Sequence, residues 1–209
     1  TAKMLQGIET LILELKPDVV MVYGDTNSTL AGALAASKLK VPVAHVEAGL
    51  RSYMMTMPEE QNRKITDHLS TWLFCPTDVA IKNLEKEGIK NNGASKPDLD
   101  NKSVIVCGDI MYEAYLYYKD QALRECGKIL QEIAKPFVLL TLHRAENTDN
   151  AGRLYSIFEA LNQFKTYPII FPVHPRTRKC MEKMNIEISK NIHLIDPVGY
   201  FDMLSLENE

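Results

Sequence analysis

Apolar residues recur along this chain in two rhythms that take turns. At the start, Met4, Leu5, Ile8, Leu11, Ile12 and Leu15 fall on one face of a helix, which ends before Pro17 because proline cannot continue it. Residues 19–23 then form an unbroken apolar run of strand length, the pattern of a strand buried on both faces. Gly24 permits close backbone approach after it. Asn27 and Ser28 are placed to cap a helix whose Ala- and Leu-rich body is residues 30–39. Pro42 opens a second strand, Val43–Val46. The short helical crossover between the two strands predicts a right-handed βαβ unit.

Further on, a loop carrying Tyr53, Met54, Met55 and Met57 leads to Pro58, a good first helical residue. Glu59 and Glu60 stand in that first turn, where the helix dipole favours anions. The helix runs to about Leu69, and residues 72–74 make a short strand. Thr77 caps a helix that Gly88 ends. Residues 90–103 are polar and aperiodic, a surface loop. After a strand at 104–106, residues 110–134 hold a long, partly interrupted helical pattern. A second βα series follows: strand 137–142, helix 152–164, strand 169–173, helix 177–184, strand 192–195 and a helix from residue 200.

This alternation predicts an α/β fold with two Rossmann-like doubly wound domains, residues 1–112 and 113–209. A parallel unit normally has a strand before its first helix, yet this chain enters a helix at once and stops within another helical pattern. The expectation is a central fragment, truncated at both ends: the N-terminal domain lacks its first strands, and the C-terminal one is incomplete.

Composition narrows the function classes. A formal net charge of -3 carries no basic signature, so nucleic acid is not the expected partner. No apolar run approaches the ~20 residues that span a bilayer, and no signal peptide opens the chain. Cys75, Cys107, Cys126 and Cys180 are scattered without a CxxC pair; buried reduced thiols are expected, not a metal site or disulfide framework. No GxGxxG, Walker A or GxSxG motif is present, so no dinucleotide or P-loop site and no nucleophile elbow is supported.

Ligands of open parallel sheets bind at the carboxyl ends of the strands, and there the chain places Asp25, Glu47 and Glu59. Crowded carboxylates push each other's pKa values apart, so that one holds a proton while another accepts one. That suits proton abstraction and return at carbon. Each of the three serves equally well, taken alone, as a helix cap or a partner for Arg51 or Arg63. His143, followed by Arg144, Glu146 and Asn147, and His174, followed by Arg176 and Arg178, end adjacent strands of the second series. Histidines beside arginines and helix N-termini suit a diphosphate, though each also suits an ordinary βα turn. The pair has no evident third metal ligand. His45 and His193 lie in strand patterns and read as packed, hydrogen-bonded side chains.

Taken together, Gly24-Asp25-Thr26, His45-Val46-Glu47-Ala48-Gly49-Leu50-Arg51, Pro58-Glu59-Glu60-Gln61-Asn62-Arg63 and His143-Arg144-Ala145-Glu146-Asn147 resemble the non-hydrolysing UDP-N-acetylglucosamine 2-epimerases, in order and spacing. The resemblance implies a two-domain fold like that of the GT-B glycosyltransferases, with the active site in the interdomain cleft. It implies a cytoplasmic homodimer that needs no cofactor or metal and interconverts UDP-N-acetylglucosamine and UDP-N-acetylmannosamine. UDP is eliminated across C1 and C2 to give 2-acetamidoglucal, then adds back with the C2 proton delivered to the opposite face. By this resemblance Asp25, Glu47 and Glu59 match the family's catalytic carboxylates, and His143 matches its histidine on the diphosphate. His174 lies in the nucleotide-side loop, and Arg144 and Glu146 share the His143 motif on the substrate side. Met203 matches the uridine-contacting position. Arg51 and Arg63 belong to the substrate-binding set, chiefly by holding the carboxylates.

The chain also departs from the pattern. The family's Gly-Thr-Arg-Pro-Glu-like first strand and its Ser-Gly-Gly with downstream glutamate are absent. The Thr-Met-Pro-Glu-Glu version of the third motif, without tryptophan, keeps diacetamido sugars and uronates open as substrates. A hydrolysing relative and a nucleotide-sugar-binding fragment without turnover are the other readings.

Overall fold

The computed structural model describes residues 1–208 other than 92, 94, 95 and 132, without the side chains of 126–131 and 145. The loop expectation for 90–103 and the helical one for 110–134 and beyond 200 fall outside the description at residues 92, 94, 95, 132 and 209, as does the buried-thiol expectation at Cys126. The chain divides into two compact units, Thr1–Glu113 and Ala114–Glu209.

In the first unit the order is α1 (Ala2–Leu15), β1 (Val20–Tyr23), α2 (Asn27–Lys38), β2 (Val43–Val46), α3 (Pro58–Leu69), β3 (Trp72–Cys75), α4 (Asp78–Lys86) and β4 (Ser103–Val106). All neighbouring strands are parallel, in the sheet order β1-β2-β3-β4. Consecutive order means that every crossover steps the same way, which is one wing of a doubly wound sheet. Right-handed crossovers then lay the helices on one face. Val22, Val43, Leu73 and Val104 line that face, buried in clusters with Ala33, Ala36, Ala80 and Leu84. The small residues of α2 let it approach closely: a Cβ on Gly32 would stand 3.0 Å from Val22 Cγ1.

Register puts Tyr23, Val46, Phe74 and Ile105 in one row on the opposite face. Tyr23 is 58% exposed, Met21 50% and Ile105 38%. The expectation that residues 19–23 are buried on both faces is therefore corrected: among the described residues β1 stands at the edge of the sheet and its Met21 and Tyr23 face is exposed. The α2 cap is also shifted, since Thr26 and not Asn27 or Ser28 accepts the N–H of Thr29.

α5 (Ile110–Gln131) is continuous and spans the boundary between the units. The second unit adds β5 (Val138–Leu139), α6 (Ala145–Thr148), α7 (Ala151–Gln163), β6 (Ile169–Pro172), α8 (Pro175–Lys183), β7 (Ile192–Ile195) and α9 (Tyr200–Glu207). Its parallel sheet runs β5-β6-β7 around a core of Leu154, Phe158, Ile169, Phe171 and Ile192. The strand expected at 137–142 is shorter, Val138–Leu139. The α/β expectation with parallel sheets holds in both units. Of the thiols, Cys75 is buried but Cys107 is exposed, against the buried expectation. Among the described residues no helix is long and apolar enough to cross a membrane.

Candidate active site

Helix α3 organises the carboxyl end of the first sheet, and it does so with a polar buried side. Glu60, Asn62, Thr66 and Asp67 are buried, while Ile65 is 43% exposed. Side chains three and four residues apart share a helix face, so Glu60, Arg63 and Asp67 form a charged column. Each member holds a different loop.

Glu60 accepts from the Ser52 N–H at 2.9 Å, the Ser52 hydroxyl at 3.1 Å, the Tyr53 N–H at 3.1 Å and Arg63 Nη2 at 2.9 Å. Burial alone would raise its pKa, but these donors outweigh burial and hold the carboxyl below its ordinary value. Arg63 Nη1 then reaches Asp25 Oδ2 at 2.6 Å, and Asn62 Nδ2 donates to the Asp25 carbonyl at 2.8 Å. Asp67 is the third anchor. It takes the Gly49 N–H at 3.1 Å, Arg51 Nη1 at 2.8 Å and the His45 ring at 2.7 Å. Arg51 also donates twice to Glu87, at 3.0 and 2.7 Å. Its side chain is fully buried. Arg51, expected in the substrate-binding set chiefly by holding carboxylates, holds Asp67 and Glu87. Hydrogen bonds from Arg51 first, then from Lys64, hold the Glu87 carboxyl at about 2.

Glu47 follows β2 half-buried, with a φ of 69°. A non-glycine residue in the left-handed region costs roughly 1 kcal/mol or more and persists where surrounding structure imposes it, often at functional sites. The Gly24 turn runs beside it: a Cβ on Gly24 would lie 3.1 Å from Glu47 Oε2. Burial raises the Glu47 carboxyl above its ordinary range; the charges of Asp109 and Asp25 raise it further, and His45 opposes them. Asp25 and Glu47 are thus brought together. Glu59 is exposed in the first turn of α3, and among the described residues no hydrogen bond or ion pair ties it to either.

Asp109 is the carboxylate that sequence reasoning missed. It follows β4 in Cys107-Gly108-Asp109, as Asp25 follows β1 in Tyr23-Gly24-Asp25, and both glycines have positive φ. The repeated strand-Gly-Asp step was the available signal. Asp109 also caps α5, accepting from the Met111 and Tyr112 N–H groups at 2.9 and 3.2 Å.

The second unit presents its groups differently. Because β5 stops at Leu139, His143 lies in the loop beyond the strand and not at its end, and it is exposed together with Arg144 and Glu146. Thr177 donates its hydroxyl to the Leu142 carbonyl at 2.8 Å, which places His143 beside the first turn of α8. His174 caps that helix, its Nδ1 accepting the Arg176 N–H at 3.2 Å, and Arg176 pairs with Asp149 at 2.6 Å. His143, His174 and Arg176 therefore share one rim at a helix N-terminus. Met203 is half-buried on α9, and among the described residues no hydrogen bond joins it to this group.

Comparison with known proteins gives these two rims a context. The sequence model of the UDP-N-acetylglucosamine 2-epimerase family matches residues 1–209. The chain is 50% identical over 208 residues to the UDP-2,3-diacetamido-2,3-dideoxy-D-glucuronate 2-epimerase of Pseudomonas aeruginosa, covering 99% of this chain and 55% of that protein. It is 46% identical over 219 residues to a UDP-N-acetylglucosamine 2-epimerase of Methanocaldococcus jannaschii, covering 99% of this chain and 57% of that protein. A crystal structure of the UDP-GlcNAc 2-epimerase from Methanocaldococcus jannaschii in complex with UDP-GlcNAc and UDP matches with a TM-score of 0.87 at 45% identity, over 99% of this chain and 57% of that one. The chain thus spans somewhat more than half the length of these relatives.

Proposed function

This chain belongs to the UDP-N-acetylglucosamine 2-epimerase family, and from that premise we propose that the protein interconverts UDP-N-acetylglucosamine and UDP-N-acetylmannosamine. A carboxylate removes the proton at C2, the electron pair forms the C1–C2 double bond, and UDP leaves with the C1–O bond pair. UDP then returns to C1 while a proton is delivered to C2 from the opposite face. The observation that carries this reading is the convergence of Glu47 and Asp25, with Glu47 held above its ordinary pKa by burial and by Asp109 and Asp25. A carboxyl raised in this way holds its proton more tightly than an ordinary carboxylate, which suits it to give a proton as well as to take one. Glu59 remains a proposed third member. His143, with Arg144, Glu146, His174 and Met203 on the same unit, would bind the nucleotide, its exposed donors meeting the diphosphate. Residues 1–112 would then carry the acid–base chemistry and 113–209 nucleotide binding, in a cytoplasmic homodimer.

The test is proton NMR of UDP-N-acetylglucosamine with the protein in deuterated water. Deuterium should enter C2 as the manno epimer appears; retention of the C2 proton would sink the reading. Release of free sugar with UDP would point to a hydrolysing enzyme instead. A second substrate reading is favoured by the 50% identity to the diacetamido-glucuronate epimerase. Faster turnover of that nucleotide sugar than of UDP-N-acetylglucosamine would establish it.

A further inference from the structure

We propose that His45 is a doubly protonated positioning residue, a buried cation that locks the Asp25 and Glu47 turns into one arrangement. Its link to catalysis rests on the epimerase reading, whereas its protonation state does not.

The ring is fully buried. Its Nε2 stands 2.9 Å from the Gly24 carbonyl oxygen, and its Nδ1 2.7 Å from Asp67 Oδ1. A carbonyl oxygen only accepts, so Nε2 must carry a hydrogen. The Asp67 carboxyl accepts from the Gly49 N–H and from Arg51 at Oδ2, the pairing of an ionised carboxylate, and turns Oδ1 to Nδ1, so Nδ1 is assigned a hydrogen too. A neutral imidazole has a single N–H and would press a lone pair against a lone pair at one end. His45 and Arg51 both face Asp67, and Arg51 also bonds Glu87. Lys64 reaches Glu87 from outside at 3.1 Å. Lys102 and Cys75 also lie in the field of Asp67.

The consequence lies in what the hub ties. Gly24 donates its N–H to the Val46 carbonyl at 3.1 Å and gives its own carbonyl to His45. Gly49 gives its N–H to Asp67 and receives Asn83 Nδ2 on its carbonyl at 3.0 Å. The residue before Asp25 and the residue two beyond Glu47 are therefore fixed by the same pair of side chains. The imidazolium is also the cation that opposes Asp25 and Asp109 at Glu47.

Nitrogen NMR of the isotope-labelled full chain reads the first claim. Both His45 ring nitrogens should be protonated, each coupled to its own hydrogen. An unprotonated Nδ1 or Nε2 at neutral pH overturns the proposal whatever the activity, which separates its failure from that of the epimerase reading. His45→Gln reads the second. We expect kcat to fall about ten- to a hundredfold with KM little changed, because the carboxylates lose their alignment. The limb of the pH–rate profile set by Glu47 should move to higher pH, since removing a nearby cation favours the protonated carboxyl. A variant that melts earlier yet keeps both the kcat and the limb would make His45 a fold residue only and overturn the positioning role. Should His45→Gln not fold, the NMR result on the unaltered protein decides.

Discussion

Arg51 bonds Asp67 at 2.8 Å with both side chains fully buried. Arg176 bonds Asp149 at 2.6 Å with 55% and 50% of those side chains exposed. The distances are alike and the environments are opposite. Around Arg51 the carboxylates of Asp67 and Glu87 already have internal partners, so this part of the first rim is held together without a ligand. Around Arg176 the cations and histidines stand in solvent, where an anionic ligand can recruit them. On the proposed reading the first rim places two carboxylates against one carbon, and preorganisation of this kind would serve that. On the same reading the second rim takes up and releases a diphosphate, for which exposed charge-assisted donors are suited.

The sharpest way to break this comparison is at the chemistry itself. Glu47→Gln keeps the shape of the side chain but removes its ability to trade a proton. Exchange of the C2 hydrogen should fall by about 10²–10⁴-fold, the usual worth of a general acid or base. Calorimetric UDP binding should be nearly unchanged if the second unit holds the nucleotide. Equal losses in both measurements would mean that the two rims do not divide the work.

Next in size is the buried clamp. Arg51→Ala strands Asp67 and Glu87 without their shared cation, and breaking a buried pair typically costs about 3–5 kcal/mol. Urea unfolding should read a loss of that order. A loss below about 1 kcal/mol, the range of exposed pairs, would deny that the two arginines differ.

Acid should find the same difference. The Glu87 carboxyl is held at about 2 against an ordinary 4.5, first by its hydrogen bonds from Arg51. A carboxyl depressed in the folded state contributes stability that is complete above 4.5 and is lost as pH falls toward about 2. With Glu87 mostly buried, that contribution is on the order of 2–3 kcal/mol. Glu60, also depressed, adds to the same slope. Glu47, raised in the fold, works the other way: its ionisation weakens the fold as pH rises through its range. Denaturant midpoints followed from neutral into acid should therefore fall, and should fall less steeply in Arg51→Ala.

Much of this architecture was legible in the sequence, and the parts that were not share a physical reason. Strands such as Val43–Val46 and Ile192–Ile195 are short apolar runs between turn residues, and hydrophobic pattern finds them. Pro58 at the first helical position and Thr77 at a cap were equally plain. The exposed face of β1 was not, because an apolar run does not reveal whether one face of the sheet or both are covered. α3 defeats the same reasoning from the other side. Its buried residues are Glu60, Asn62, Thr66 and Asp67, so a search for apolar periodicity passes over the face that matters. The motif residues Asp25, Glu47 and Arg63 were visible as motifs. That Arg63 holds Asp25, and that the His45–Asp67 and Arg51–Glu87 bonds tie the turns around them, is a fact of long-range contact, between residues 22 to 38 apart in the chain.

The smallest expected effect tests the open rim. Arg176→Ala removes an ion pair whose partners are half in solvent, and such pairs are worth about 0–1 kcal/mol. The melting temperature should barely move. If Arg176 belongs to the diphosphate-binding rim, the change should appear in the ligand instead, as UDP binding weakened by about tenfold, the worth of one charge-assisted contact. That weakening should shrink as salt is added, because exposed charges are screened over about 10 Å at ordinary ionic strength. Arg176→Lys, which keeps the charge but loses the planar fork, should recover part of the affinity. A variant that unfolds readily while binding UDP normally would reverse the assignment, making Asp149–Arg176 a structural tie and leaving His143 and His174 to meet the diphosphate without it.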